Sequence, residues 1–205
     1  MGATEPGKGV SLSHSAEMLI AAVPALADIA EIEAHSFRQL PSPDITLDDL
    51  SALAHEINAR LDDGVHGIVV TQGTDTLEES AFVIDRLVQK DAPVVFTGAM
   101  RNPTMAGPDG PANLFHAFLV ALDQQVCGIG TLVVMNDEIH AARYVQKLHT
   151  TSPAAFHSSP AGAIGWIIEK RVRIVTRPAG RYPVALPAAP KPVRVARLTV
   201  GLNED

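Results

Sequence analysis

Three short polar segments hold the residues best suited to chemistry. Thr71-Gln72-Gly73-Thr74-Asp75-Thr76 follows the apolar run Ile68-Val69-Val70. Thr97-Gly98-Ala99-Met100-Arg101 follows Val94-Val95-Phe96, and Asn136-Asp137 follows Leu132-Val133-Val134-Met135. Ligands of open α/β sheets bind just beyond the carboxyl ends of strands, where these segments are expected to lie. Gly73 lets the backbone turn closely, and Thr74 and Asp75 then carry a hydroxyl and a carboxylate into the crevice. A plainer reading competes. Thr76 with Glu79, or Asp75 with Glu78, has capping-box spacing, and a strand-to-helix turn needs such residues to satisfy free N–H groups. One cap needs one residue, and two threonines and an aspartate leave polar groups over.

Other chemistries are poorly supported. The eight histidines include no His-x-x-x-His pair, so no metal is expected. No Gly-x-Gly-x-x-Gly or P-loop motif occurs, which argues against a nucleotide. The net charge of −7, with no basic run, argues against nucleic acid. No apolar run approaches the ~20 residues of a membrane helix, and MGATEPGKGV has no apolar signal core. Cys127 is the only cysteine, so no internal disulfide forms, and it reads as a small hydrophobe. The expected compartment is the cytoplasm, with the periplasm left open.

The elements that must position these segments follow from periodicity. Leu50, Ala54, Ile57 and Leu61 share one helical face, as do Leu77, Ala81, Ile84 and Val88 in a helix over 77–89. Leu114, Phe118, Ala121 and Leu122 mark a third helix, and SAEMLIAAVP an earlier one. Continuous apolar strands between amphipathic helices predict a doubly wound α/β fold, with a mostly parallel sheet covered on both faces. GWIIEKRVRIV (165–175) reads as a β-hairpin turning at Glu169 and Lys170. The division expected is a domain over 1–176, a proline-rich linker over 177–192, and over 193–205 the first strand of a truncated second domain. Residues 1–13 hold no apolar run, although such domains usually open on a strand.

VVTQGTDTLEES, PVVFTGAMR and PDGPANLFHAF, followed by VVMNDEIHAARYVQKLHTTSPAAF, closely resemble an ordered run of motifs in the bacterial L-asparaginase and glutaminase-asparaginase family. The similarity extends over most of residues 16–170. The resemblance implies hydrolysis of the side-chain amide of asparagine, sometimes glutamine, through an acyl-threonine, without a cofactor. It casts Thr74, Asp75 and Lys147 as catalytic, with Asp75 also gripping the substrate's α-amino group. Ser42, Gly73, Thr74, Asp75 and Ala99 become substrate-binding: Ser42 for the carboxylate, the Ala99 carbonyl near the amide. Pro43 stands where many members carry a glutamine. Amide hydrolysis needs a hydroxyl or activated water, a base and oxyanion donors, and a lysine acts as base only when its pKa is lowered. Without the resemblance, Lys147 reads as a solvated lysine, Ser42 as a turn residue and Ala99 as a packed small residue.

The family's nucleophilic threonine lies in a Thr-Gly-Gly-Thr-Ile motif, and these 205 residues contain no such motif. The only tyrosines are Tyr144 and Tyr182, neither in the stretch corresponding to the family's flexible loop. The expectation is a domain lacking its first strand, inactive alone, from a protein that is a homo-oligomer at full length. Two alternatives remain: a non-catalytic amino-acid-binding or interaction module on the same fold, and a subunit of tRNA-dependent amidotransferases, which the acidic balance disfavours.

Overall fold

The structure, a computed structural model, describes residues 15–185. Helix α1 (Ala16–Ala21) starts on Ser15, whose hydroxyl accepts the Met18 N–H. A 3-10 turn, Pro24–Asp28, follows and buries Leu26. Helix α2 (Leu47–Asp62) opens on a capping box between Thr46 and Asp49 and buries Leu50, Ala54 and Ile57. Strand β1 (Ile68–Thr71) leads to α3 (Leu77–Leu87), β2 (Val94–Thr97), α4 (Gly110–Leu122) and β3 (Thr131–Met135). Helix α3 stops two residues before the expected 89, because Val88 is already extended.

Then come β4 (Glu138–Ala141), β5 (Gln146–Lys147), β6 (Phe156–His157), β7 (Gly165–Ile168) and β8 (Arg171–Ile174). One six-stranded sheet runs β1-β2-β3-β4-β7-β8, and β5 pairs with β6 apart from it. The β1–β2 and β2–β3 pairs are parallel; β3–β4, β4–β7 and β7–β8 are antiparallel. The predicted hairpin at Glu169 and Lys170 forms, with both residues at positive φ. Its counterpart at Asn136 and Asp137 was not expected. These residues, read as a crevice loop, are the two-residue turn between β3 and β4, at φ 50 and 65.

Side-chain alternation along the central strands splits the core in two. Val94, Phe96, Val133 and Met135 pack with Ala54 and Ile57 of α2 and Leu77, Ala81 and Ile84 of α3. Val95, Leu132 and Val134 pack on the other face with Ala117, Val120 and Ala121 of α4. Of the apolar positions that marked α4 in the sequence, Leu114 and Ala121 are buried and Leu122 is exposed, while Ala117 and Val120 are buried beside them. That helix is apolar nearly all round, so periodicity fixes no phase, and small residues set its approach to the sheet.

The connections β1–α3–β2 and β2–α4–β3 step the same way across the sheet, yet α3 and α4 lie on opposite faces. Two crossovers of one hand would place both helices on one face. One of the two is therefore left-handed, against a rule followed in about 98% of cases. This topology makes the β1–β2 junction a switch point, where successive loops diverge and open a crevice.

Residues 177–185 form no helix or strand, as their prolines predict, but they are strapped to the domain. Arg181 donates to the Val88 and Lys90 carbonyls at 2.8 and 2.6 Å, Val184 N–H donates to Arg86 O, and Arg177 donates to Gln125 O. The expected strand after residue 193, and residues 1–13, lie outside the described residues.

Among the described residues nothing pairs with the outer edge of β1, which is only half-buried where β2 and β3 are fully buried. A strand edge with free N–H and C=O groups is a template for association. The 205-residue chain is expected to self-associate in sedimentation velocity. A monomer with a sharp, reversible thermal transition would contradict this.

Candidate active site

The switch-point crevice gathers the residues singled out in the sequence. Lys147 Nζ lies 2.9 Å from Thr74 Oγ1 and 2.7 Å from Asp75 Oδ1. The lysine side chain is 15% exposed and that of Asp75 67%, so the ammonium is sheltered while the carboxylate opens to solvent. Thr74 and Asp75 sit in the β1–α3 turn; Lys147 comes from β5, 72 residues beyond Asp75. The two are also joined through the main chain, because Lys147 N–H donates to the Glu78 carboxylate in the first turn of α3. Partial burial pushes the Glu78 carboxyl above its ordinary range, with Glu79 adding to it, against the opposing pull of the Lys147 N–H and ammonium. An open pocket of about 470 Å³ is lined by Asp75, Glu78, Lys147, Leu148, His149 and Thr150.

Ser42 backs the turn from beneath. It is 3% exposed, and its hydroxyl accepts the Asp75 N–H at 3.2 Å. A Cβ on Gly73 would lie 3.0 Å from Ser42 Oγ, so any larger residue there would press on Ser42. Gly98 is pressed in the same way: a Cβ there would meet Gln72 O at 2.7 Å and Thr74 Cγ2 at 3.1 Å. Ala99 follows it, half-buried, at the carboxyl end of β2. Thr76 does not cap α3; its hydroxyl donates to Ser42 O at 2.6 Å. The plainer capping reading is thereby displaced for Thr76, which ties the turn to residue 42 instead.

Residues with no assigned role in the sequence complete the frame. Asp109 accepts the Met100 and Arg101 N–H groups at 3.0 and 2.8 Å. Asn113 donates to Gly98 O and accepts the Asn136 N–H, both at 3.0 Å. Their i, i+4 spacing at the start of α4 was the only available signal, and it resembled ordinary helix-start chemistry.

A second cluster has the residue types of a hydrolytic triad. His140 Nδ1 lies 3.0 Å from Ser158 Oγ, and its Nε2 lies 3.3 Å from Glu138 Oε2. Ser158 and His140 are 3% and 1% exposed, so no substrate reaches that hydroxyl. The Glu138 contact is close but poorly aligned, leaving Nε2 without a hydrogen-bond partner. Burial, helped by the charge of His157, pushes the imidazole down to about 4 from 6.5. Above pH 6.5 both folded and unfolded chains hold it neutral. Between pH 6.5 and 4 the unfolded chain binds a proton that the folded one refuses, and stability is lost, by about 3 kcal/mol in all. Urea midpoints from pH 7.5 to 4 should therefore fall less steeply in His140→Gln than in the parent; equal slopes would contradict the assignment.

A hydroxyl, an amine and a carboxylate are held together at the switch point of a doubly wound α/β domain, where ligands of such folds bind. The family model "Asparaginase, N-terminal" matches residues 1–180, and the chain belongs to that family. It is 38% identical to a probable periplasmic L-asparaginase of Haemophilus influenzae, over 91% of this chain and 55% of the relative. It is 46% identical to L-asparaginase 2 of Bacillus subtilis, over 75% of this chain and 41% of the relative. The crystal structure of a probable cytoplasmic L-asparaginase from Campylobacter jejuni matches with TM-score 0.78 and 32% identity, over 81% of this chain and 56% of that one. The chain thus spans about half the length of the relatives it matches, one of them named as periplasmic and another as cytoplasmic.

Proposed function

We propose that the protein to which this chain belongs hydrolyses the side-chain amide of L-asparagine, and of L-glutamine as the alternative substrate, to the acid and ammonia. The observation that carries the reading is the contact of Lys147 Nζ with both Thr74 Oγ1 and Asp75 Oδ1 at the switch-point crevice. Thr74 Oγ1 and Lys147 Nζ hold and orient a water beside the amide carbonyl and relay its proton, while the acyl group itself is carried by the threonine of the family's Thr-Gly-Gly-Thr-Ile strand. Asp75, exposed beside Lys147, receives the substrate's α-ammonium, and Ser42, buried beneath the turn with its hydroxyl accepting the Asp75 N–H, holds Asp75 in place for that contact. The Ala99 carbonyl faces the amide nitrogen. The reaction needs no cofactor, metal, nucleic acid or membrane, and the working protein is a homo-oligomer.

The acyl-threonine step requires a nucleophile from a Thr-Gly-Gly-Thr-Ile strand, which these 205 residues do not contain. The chain alone is therefore expected to release no ammonia from either amide. Joining it to such a strand and to a second domain from a relative restores turnover. Activity in the chain alone would show that the nucleophile lies within it. The second reading, a non-catalytic amino-acid-binding module, draws on one observation: the Asp75 carboxylate is 67% exposed at the crevice, free to meet an α-ammonium whether or not an amide is cleaved there. It would be upheld by an extended protein that binds asparagine and does not turn it over.

A further inference from the structure

The four α-helices among the described residues each begin on a residue type that caps well, but only two use it. Ser15 of α1 and Thr46 of α2, away from the crevice, each accept an N–H of their own first turn. Thr76 and Asp109 begin the two helices that start at the crevice, and neither side chain accepts a backbone N–H of its own helix. Asp109 spends both carboxylate oxygens on the loop after β2, one on Met100 N–H and one on Arg101 N–H. One turn later Asn113, 2% exposed, uses its whole amide group. Its Nδ2 donates to Gly98 O and to Asp109 Oδ2, both at 3.0 Å, and its Oδ1 accepts the Asn136 N–H. The ends of β2 and β3 are thus stitched to α4 through two side chains. The loop they hold is not free to shift without consequence, since Gly98 rests against Gln72 O and Thr74 Cγ2.

We propose that Asp109 and Asn113 are positioning residues that set the Gly98–Arg101 turn, and with it the Ala99 carbonyl, against Thr74 and Lys147. The claim rests on the reaction reading above, and it acts through the loop rather than on substrate. A charged acceptor for two adjacent N–H groups fixes direction as well as distance. A displacement of about 1 Å at a reacting centre lowers rate by about a hundredfold.

The test uses Asp109→Ala, with Asp109→Asn retaining one acceptor oxygen. In the 205-residue chain, exchange of the Met100 and Arg101 amide hydrogens should rise about tenfold to a hundredfold in Asp109→Ala, and less in Asp109→Asn. In the extended protein, kcat for asparagine should fall about tenfold to a hundredfold with a smaller change in KM. Asp109→Asn should recover part of it, and a kcat loss in Asp109→Ala that persists at temperatures well below its thermal midpoint separates positioning from helix stability. Unchanged exchange in both variants overturns the clamp. Faster exchange with kcat held within about twofold overturns the positioning role and leaves the reaction reading standing. An extended parent that hydrolyses neither amide overturns the reaction reading, and positioning with it.

Discussion

Thr74→Val in the extended protein is expected to lower ammonia release from L-asparagine by about a thousandfold or more, with the fold intact. Valine keeps the shape of threonine and removes only the hydroxyl. Within the described residues that hydroxyl has one hydrogen-bond partner, Lys147 Nζ at 2.9 Å, and the residue is half-buried, so little else depends on it. Lys147→Met should cost a similar factor, because it removes the other half of the same contact. Groups that act as a unit lose nearly everything when one is removed, so the double variant should be no worse than either single one. Ammonia release by the four proteins, with thermal midpoints alongside, decides the matter. Additive losses would mean that the two residues work independently. Full activity in Thr74→Val would reduce the threonine to a turn residue.

The second large effect falls on stability. Asp85 is 5% exposed and lies on α3, far from the crevice. Its Oδ1 accepts the Thr131 N–H at 2.8 Å, at the amino end of β3. Its Oδ2 lies 3.7 Å from Arg143 Nη2, whose side chain is 14% exposed. Arg143 also donates to Ile129 O at 3.0 Å and to Gly180 O in the strap. Removing the carboxylate leaves a sheltered guanidinium without its counter-charge and a buried N–H without an acceptor. Breaking one side of a buried pair costs about 3–5 kcal/mol, a large part of a domain's usual 5–15 kcal/mol. Asp85→Ala should therefore shift the urea midpoint to the edge of folding. A loss below about 1 kcal/mol would mean that the pair behaves as a surface contact does.

The central strands were legible because both their faces are covered: Val94, Val95 and Phe96 read as one apolar run whichever way each points. Strand β4 was not legible. Its Glu138 and His140 interrupt the pattern, and Asn136-Asp137 makes its tight turn without glycine. The handedness of a crossover is a relation between faces, which no local pattern encodes. Thr74 and Asp75 stood out from their turn, but Lys147 lies more than 70 residues away and was reached through family resemblance alone. Thr76 was weighed as a cap and Asp109 was given no role for a physical reason. A capping residue looks the same in sequence whether it serves its own helix or a neighbouring loop.

The arginine strap changes the reach of everything that follows it. Read from sequence, residues 177–192 are a sixteen-residue spacer. At about 3.1 Å per residue in a proline-rich extended chain, that spans about 50 Å. With Arg177, Arg181 and Val184 fastened to the domain, residues 177–185 lie along it as far as the end of α3. Those nine residues, about 28 Å of extended chain, no longer contribute to that reach. Whatever is attached beyond them explores a much smaller volume around this domain, so its effective local concentration is correspondingly higher. Loosening the strap by Arg181→Ala would dilute that encounter without altering any surface at which the two parts meet.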